Sequence, residues 1–253
     1  MRKQMTESSL RGLVRIDTPL SQAMQEGVLA IISSHIRSGT VVLLKHAIPE
    51  PQVLALRDEI VAWRKQCEVV SFSVDTNVPG LNFHRIDAGS RKSAIPHVFH
   101  QHGFGDLSLL SEQLATRLLA IAGPMLTLQN AVARTGYTFG TPEIRIKALQ
   151  YPSGGGFLEN HKHPIEPQRV GLILALSKAG QDFRRGGTTF FAPSGLVDTG
   201  PYHDAGDLIL FRYDLEHAVT PVDADASLDW NSHKGRWTLV LELISTSKRS
   251  KVA

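Results

Sequence analysis

The chain has 253 residues, a formal net charge of +3, and 42% hydrophobic against 20% charged residues. That is ordinary globular composition at a length that suits one large domain, and it excludes a disordered or low-complexity chain. The single cysteine, Cys67, excludes an intramolecular disulfide framework, and no charged start followed by a long apolar run reads as a signal peptide or a membrane span, so the expected compartment is the cytoplasm.

Residues 1–20 mix charges with scattered apolar positions and read as an arm. From Ser21, the stretch SQAMQEGVLAIISSHIR places Met24, Val28, Ile31, Ile32 and Ile36 at helical spacing, with Ser21 as its cap. GTVVLLKHAI is β-branched behind a glycine and reads as a strand, and IPEPQVLALRDEIVAWRKQ restores the helical period. Between Cys67 and Gly105 the chain is rich in Gly, Pro, His and Asn and lacks a period, which predicts a segment that covers a pocket. In it, His84, Arg85 and Asp87 are either substrate-reading residues or an ordinary turn with a local ion pair. His97, His100 and His102 read as exposed or hydrogen-bonding histidines rather than a second metal site. LSLLSEQLATRLLAIAGPML predicts a helix that ends near Gly123 and Pro124.

From Thr141 the signal changes to short β-rich runs, PEIRIKALQY, RVGLILALS, GGTTFFAP, GDLILFRY and RWTLVLELIS, separated by turn residues. Five such runs predict a sandwich or barrel of the jelly-roll type over 141–246, behind a helical and substrate-covering part over 21–140. Residues 247–253 form a basic tail, with Lys248, Arg249 and Lys251, that reads as a solvated terminus. No Lys/Arg-rich stripe with interleaved aromatics is present, so nucleic acid is not an expected partner.

The chemistry concentrates in the last hundred residues. In YPSGGGFLENHKHP, extended chain would point His161 and His163 the same way, together with Glu159, and two imidazoles at that spacing can chelate one metal. A third histidine, His217, closes DAGDLILFRYDLEH just before another strand-like segment. KGRWTLVLEL then sets Arg236 and Thr238 on one face of the last strand. An arginine facing into a barrel needs an anionic partner, which a carboxylate cofactor held by the guanidinium and the threonine hydroxyl would supply. On the strand entering the site, Arg145, Lys147 and Gln150 offer hydrogen bonds to substrate or cofactor, with Gln150 assigned to the cofactor, while the face shared by Arg145 and Lys147 reads equally as a solvent face. The acidic stretch DADASLDWNSHK, between His217 and Arg236, reads as a surface loop or a lid.

From about Ile144 to Ile244 this constellation resembles the Fe(II)/2-oxoglutarate-dependent oxygenase superfamily. In that superfamily a double-stranded β-helix carries a His-x-Asp/Glu...His triad and an Arg-x-Ser/Thr pair. ALQYPSGGGFLENHKHP, RRGGTTFF, DAGDLILFRYDLEHAVTPV and GRWTLVLEL match in order. The resemblance implies an α+β domain with a jelly-roll core and buttressing N-terminal helices. It implies Fe(II), 2-oxoglutarate and O2 as cofactors, His161 and His217 as iron ligands, and Arg236 with Thr238 as the anchor of 2-oxoglutarate. The implied activity is hydroxylation of an unactivated C–H bond in a small molecule; halogenation, desaturation and cyclisation stay open, as does the oligomeric state.

The departure is His163, which stands where the superfamily has Asp or Glu. Three arrangements follow: a three-histidine face, a position left to an exogenous anion as in the family's halogenases, or Glu159 or Glu166 reaching the metal instead. Replacing a carboxylate with neutral imidazole raises the charge of the shell by one unit. This predicts tight 2-oxoglutarate, a carboxylate-bearing substrate, or chloride. The competing expectations are a cupin-like iron oxygenase that uses no 2-oxoglutarate and a non-catalytic binding module.

Overall fold

A computed structural model describes residues 7–67, 70–71, 81–86, 95, 97–139 and 144–243, with only the backbone described for 7–10, 70–71 and 81–86. Asp87, the side chains of His84 and Arg85, and the basic tail therefore lie outside the described residues.

Two strands occupy the expected arm, β1 (Glu7–Leu10) and β2 (Leu13–Asp17), and β2 runs parallel to β3 (Val41–Lys45). Leu13 packs on one side of the sheet while Val14 and Ile16 pack on the other. Burial on both faces removes the polar alternation that would have marked a strand. The helix expected from Ser21 is divided into α1 (Leu20–Ala23) and α2 (Glu26–Arg37), and Ser21 lies inside α1, where it caps nothing. After β3 come α3 (Glu50–Arg64), the short β4 (Val70–Ser71), β5 (Leu81–Ile86) and β6 (His97–Phe104).

In α4 (Glu112–Ala133) the hydroxyl of Ser111 accepts the amide N–H of Leu114. This helix continues through Pro124 for more than two further turns instead of ending there. A proline inside a helix costs about 3 kcal/mol. Beyond it Met125, Leu126 and Leu128 are buried, and each buried side chain of this size contributes roughly 1.5–3 kcal/mol. Packing therefore outweighs the local signal.

The remaining strands are β7 (Ile144–Pro152), β8 (Gly156–His161), β9 (Val170–Ala175), β10 (Thr188–Ala192), β11 (Gly195–Asp198), β12 (Leu208–Arg212), β13 (His217–Val222) and β14 (Gly235–Leu243). Their order is β1-β2-β3-β12-β9-β14-β7-β6-β8-β13-β10-β11. β6 pairs with β7 through His100–Phe104 and with β8 through His97 and Val98, so it carries the hydrogen-bonded ladder from a larger layer into a smaller one. The result is a double-stranded β-helix, α+β in class. The aperiodic stretch expected to cover a pocket thus contributes a central, buried strand at its C-terminal end. Histidines in place of aliphatic residues concealed it.

Helices α2 and α4 cover the outer face of the larger layer. There Ile144, Ile146 and Ala148 of β7 and Trp237, Leu239 and Leu241 of β14 join Ile32, Ile36, Leu118, Ile121 and Met125 in one core. Alternate residues of β7 and β14 face the smaller layer across a cavity.

Gly235 starts β14 at φ 127, and a Cβ there would lie 2.2 Å from the Tyr151 carbonyl oxygen. Gly235→Ala is expected to destabilise the fold by about 2–4 kcal/mol. Gly27→Ala, in α2 with nothing within 4 Å, is expected to be neutral or to stabilise by up to about 1 kcal/mol. Urea denaturation of the two variants checks both.

Candidate metal and cofactor site

His161 ends β8, His217 begins β13, and the two are register partners in the smaller layer. His163 follows two residues beyond the end of β8. One potential ligand nitrogen from each of the three rings lies within 4.8 Å of the others. Centroids of the His161 and His217 rings are 4.2 Å apart, and the His163 ring stacks on Tyr213 at 4.4 Å and 11°. Nδ1 of His161 donates to the Glu159 carbonyl at 2.9 Å, and Nδ1 of His217 donates to the Leu215 carbonyl at 2.8 Å. A carbonyl only accepts, so each Nδ1 carries the proton and each Nε2 keeps a lone pair for a metal.

Burial holds these rings neutral. It lowers the pKa of His161, and with the neighbouring His161 ring it brings His163 to about 4 and His217 to about 3. Neither Glu159 nor Glu166 belongs to the cluster among the described residues; Glu166 is engaged at the surface with Arg169. The imidazole of His163 itself occupies the position beside His161.

The triad opens on a cavity of about 180 Å³. Toward its other end lies Arg236, 3% exposed, whose Nη2 donates to the Thr188 hydroxyl at 2.9 Å and to Nδ1 of His203 at 3.2 Å. His203 donates from Nε2 to the Asp207 carbonyl, which leaves Nδ1 as an acceptor. Burial and then the Arg236 charge depress its pKa, so the ring stays neutral. Burial also lowers Arg236, to about 10, so the guanidinium is still charged near neutral pH. Its Nη1 is buried with no hydrogen-bond partner among the described residues. Asp198 attracts the guanidinium without forming an ion pair among the described residues, and a buried cation so weakly compensated, with one arm of its fork unused, is shaped for a carboxylate. Thr238 and Tyr151 line the same cavity, and burial pushes the Tyr151 phenol up to about 12, so it remains an O–H donor.

Gln150 does not join them. It sits on the helix-facing side of β7, and its amide is fully engaged: Oε1 accepts from Arg64 and Nδ1 of His100, and Nε2 donates to the carbonyls of Ser232 and Lys234. Period-two alternation from Lys147 through Leu149 leads to Tyr151, so the strand's own phase pointed to the tyrosine. The loop carrying Ser232 and Lys234 packs on this outer side, with Trp230 5.0 Å from His100, and is not a lid over the cavity. His100 and His102 are hydrogen-bonding histidines of β6. Thr188 and His203 carried no sequence signal, because chain segments remote from β14 bring them to Arg236.

The fold is shared with solved structures at low identity. A Pseudomonas putida prolyl-4-hydroxylase is similar with a TM-score of 0.58 and 18% identity, over 86% of this chain and 99% of that one. A prolyl hydroxylase from Trichoplax adhaerens, in complex with a hypoxia inducible factor peptide fragment, gives 0.57 and 14% over 94% and 98%. The epimerase SnoN from nogalamycin biosynthesis, in complex with Fe3+, alpha ketoglutarate and nogalamycin RO, gives 0.55 and 12% over 87% and 84%. No protein-family model matches the sequence, and no curated protein is significantly similar to it.

His217→Ala is expected to weaken Co(II) binding by at least about 100-fold, since even outer-shell losses cost about 10–100-fold. Gln150→Leu removes the oxygen that accepts from Arg64 and His100 and is expected to cost about 1–3 kcal/mol of stability while Co(II) affinity is kept. Calorimetry and urea denaturation separate the two roles.

Proposed function

We propose that this protein is a cytoplasmic non-haem Fe(II)/2-oxoglutarate-dependent oxygenase that hydroxylates an unactivated C–H bond in a small, carboxylate-bearing molecule. One observation carries the reading: three imidazoles with free lone pairs and a buried guanidinium with an unused arm line a single cavity. His161, His163 and His217 would hold the iron, for which neutral imidazole is a suitable ligand. Arg236, with Thr238 and Tyr151, would hold the distal carboxylate of 2-oxoglutarate. When bound, these cofactors with O2 supply oxidative decarboxylation to succinate and the oxidising power to replace a substrate C–H with C–OH.

The chain's own contribution is positional and electrostatic. Thr188 and His203 fix the Arg236 fork, so its free arm is set before any ligand arrives. Carbonyls of Glu159 and Leu215 fix the tautomer and aim of two ligands, and Tyr213 supports the third ring. Leu149, Leu158, Phe211 and Val219 make the lining apolar and exclude water from the reacting atoms. With three neutral ligands, the metal would keep one more unit of positive charge than in a carboxylate shell, which favours anionic co-ligands.

Anaerobic titration with Fe(II) and then 2-oxoglutarate tests this. The wild type is expected to develop the visible charge-transfer band of a chelate, His163→Ala to shift or weaken it, and Arg236→Met to weaken 2-oxoglutarate by roughly 30-fold or more. Iron binding with no band in any of the proteins would overturn the 2-oxoglutarate assignment in favour of a cofactor-independent oxygenase or a binding module.

A further inference from the structure

On the cavity side, β7 and β14 carry a second set of charges. Arg145 and Glu242 are register partners, and Lys147 lies opposite Val240. Glu242 Oε2 accepts from Arg145 Nη2 at 2.7 Å and lies 2.5 Å from Lys147 Nζ. Both cations therefore use the same oxygen. Oε1 has no hydrogen-bond partner among the described residues, and the Glu242 side chain is a third exposed. Lys147 spends one of three N–H donors on this pair.

Lys147 and Glu242 line the cavity with His163 and Tyr213, and Glu242 is the only acidic lining residue among the described residues. Burial alone would raise the pKa of Glu242, but Lys147 and Arg145 more than reverse this and hold it at about 2. Arg236 is six residues away along β14, roughly 20 Å at about 3.4 Å per residue. Lys147, opposite Val240, stands four residues or roughly 14 Å along the strand from Arg236, so this cluster is set apart from the Arg236 anchor.

Neutralising Lys147 would need only one carboxylate oxygen and no cavity exposure. The arrangement found instead sets an ammonium donor and an ionised acceptor side by side at the metal end of the cavity, with a net charge of +1 when Arg145 is counted. We infer that Lys147 and Glu242 read the head group of a free α-amino acid, its carboxylate on Lys147 and its ammonium on Glu242 Oε1. Arg145 is the positioning residue that orients the Glu242 carboxylate. This inference rests on the proposed function and names its substrate class. Glu242 would repel a simple carboxylic acid, and Lys147 a simple amine.

The test uses the full chain as its anaerobic Fe(II)·2-oxoglutarate complex and a panel of free L-α-amino acids. Binding is read by perturbation of the visible band and by calorimetry, and each binder is compared with its N-acetyl and carboxamide derivatives. At least one free amino acid is expected to bind, with either derivative weakened at least about tenfold, as for a lost charged contact. In Lys147→Gln the acid and its amide should bind alike, and in Glu242→Gln the amine and its N-acetyl form should bind alike, with the band of the cofactor complex unchanged. A band with no amino acid bound, or binding that ignores N-acetylation and amidation in the wild type, overturns the inference and leaves the oxygenase reading standing. Absence of the band in the wild type overturns both. The derivative comparison needs no variant to fold.

Discussion

The nine-residue antiparallel pairing of β7 with β14, from Gly235 opposite Pro152 to Leu243 opposite Ile144, is the constraint on which the site depends. Side chains alternate across a sheet, so this register sends Trp237, Leu239 and Leu241 into the helical core and Arg236, Thr238, Val240 and Glu242 into the cavity. A slip of one residue would exchange the two sets and place charges under the helices. The apolar core therefore fixes the phase of the polar face: burial of Trp237 and Leu239 determines where Arg236 points.

Charge is the second organising feature. Cavity-facing strands bring Arg236, Lys147 and Arg145 to one interior against one carboxylate among the described lining residues, that of Glu242, while the three clustered histidines are neutral rings. Unit charges 4 Å apart interact by about 4 kcal/mol at an effective dielectric near 20. The interior is accordingly biased toward anions, and the neutral His163 ring beside His161 adds no negative charge to offset that bias.

Rigidity in the site comes from backbone acceptors and neighbouring layers more than from ion pairs. Carbonyls of Glu159, Leu215 and Asp207 each accept a hydrogen bond from one ring N–H of His161, His217 and His203, so three tautomers are set by the strands and turns that carry them. Gly171 lies against the ring of Phe211, 2.2 Å from where a Cβ would stand, and this close approach seats Phe211 beside His217 at 4.9 Å.

The sequence by itself determined the jelly-roll class, the histidine pattern and the Arg236–Thr238 pair, because strand alternation and turn residues are local properties. It misplaced elements wherever tertiary burial overrode local preference: β2 and β6 are buried without clean alternation, and α4 runs through Pro124 because apolar residues follow it. Only the tertiary structure decided that Gln150 is engaged by Arg64, His100 and the loop carrying Ser232 and Lys234, that Thr188 and His203 hold Arg236, and that Lys147 and Arg145 share one oxygen of Glu242. Each of these joins segments far apart in the chain, and such contacts are set by register between strands and by what the core must bury, neither of which a local pattern encodes.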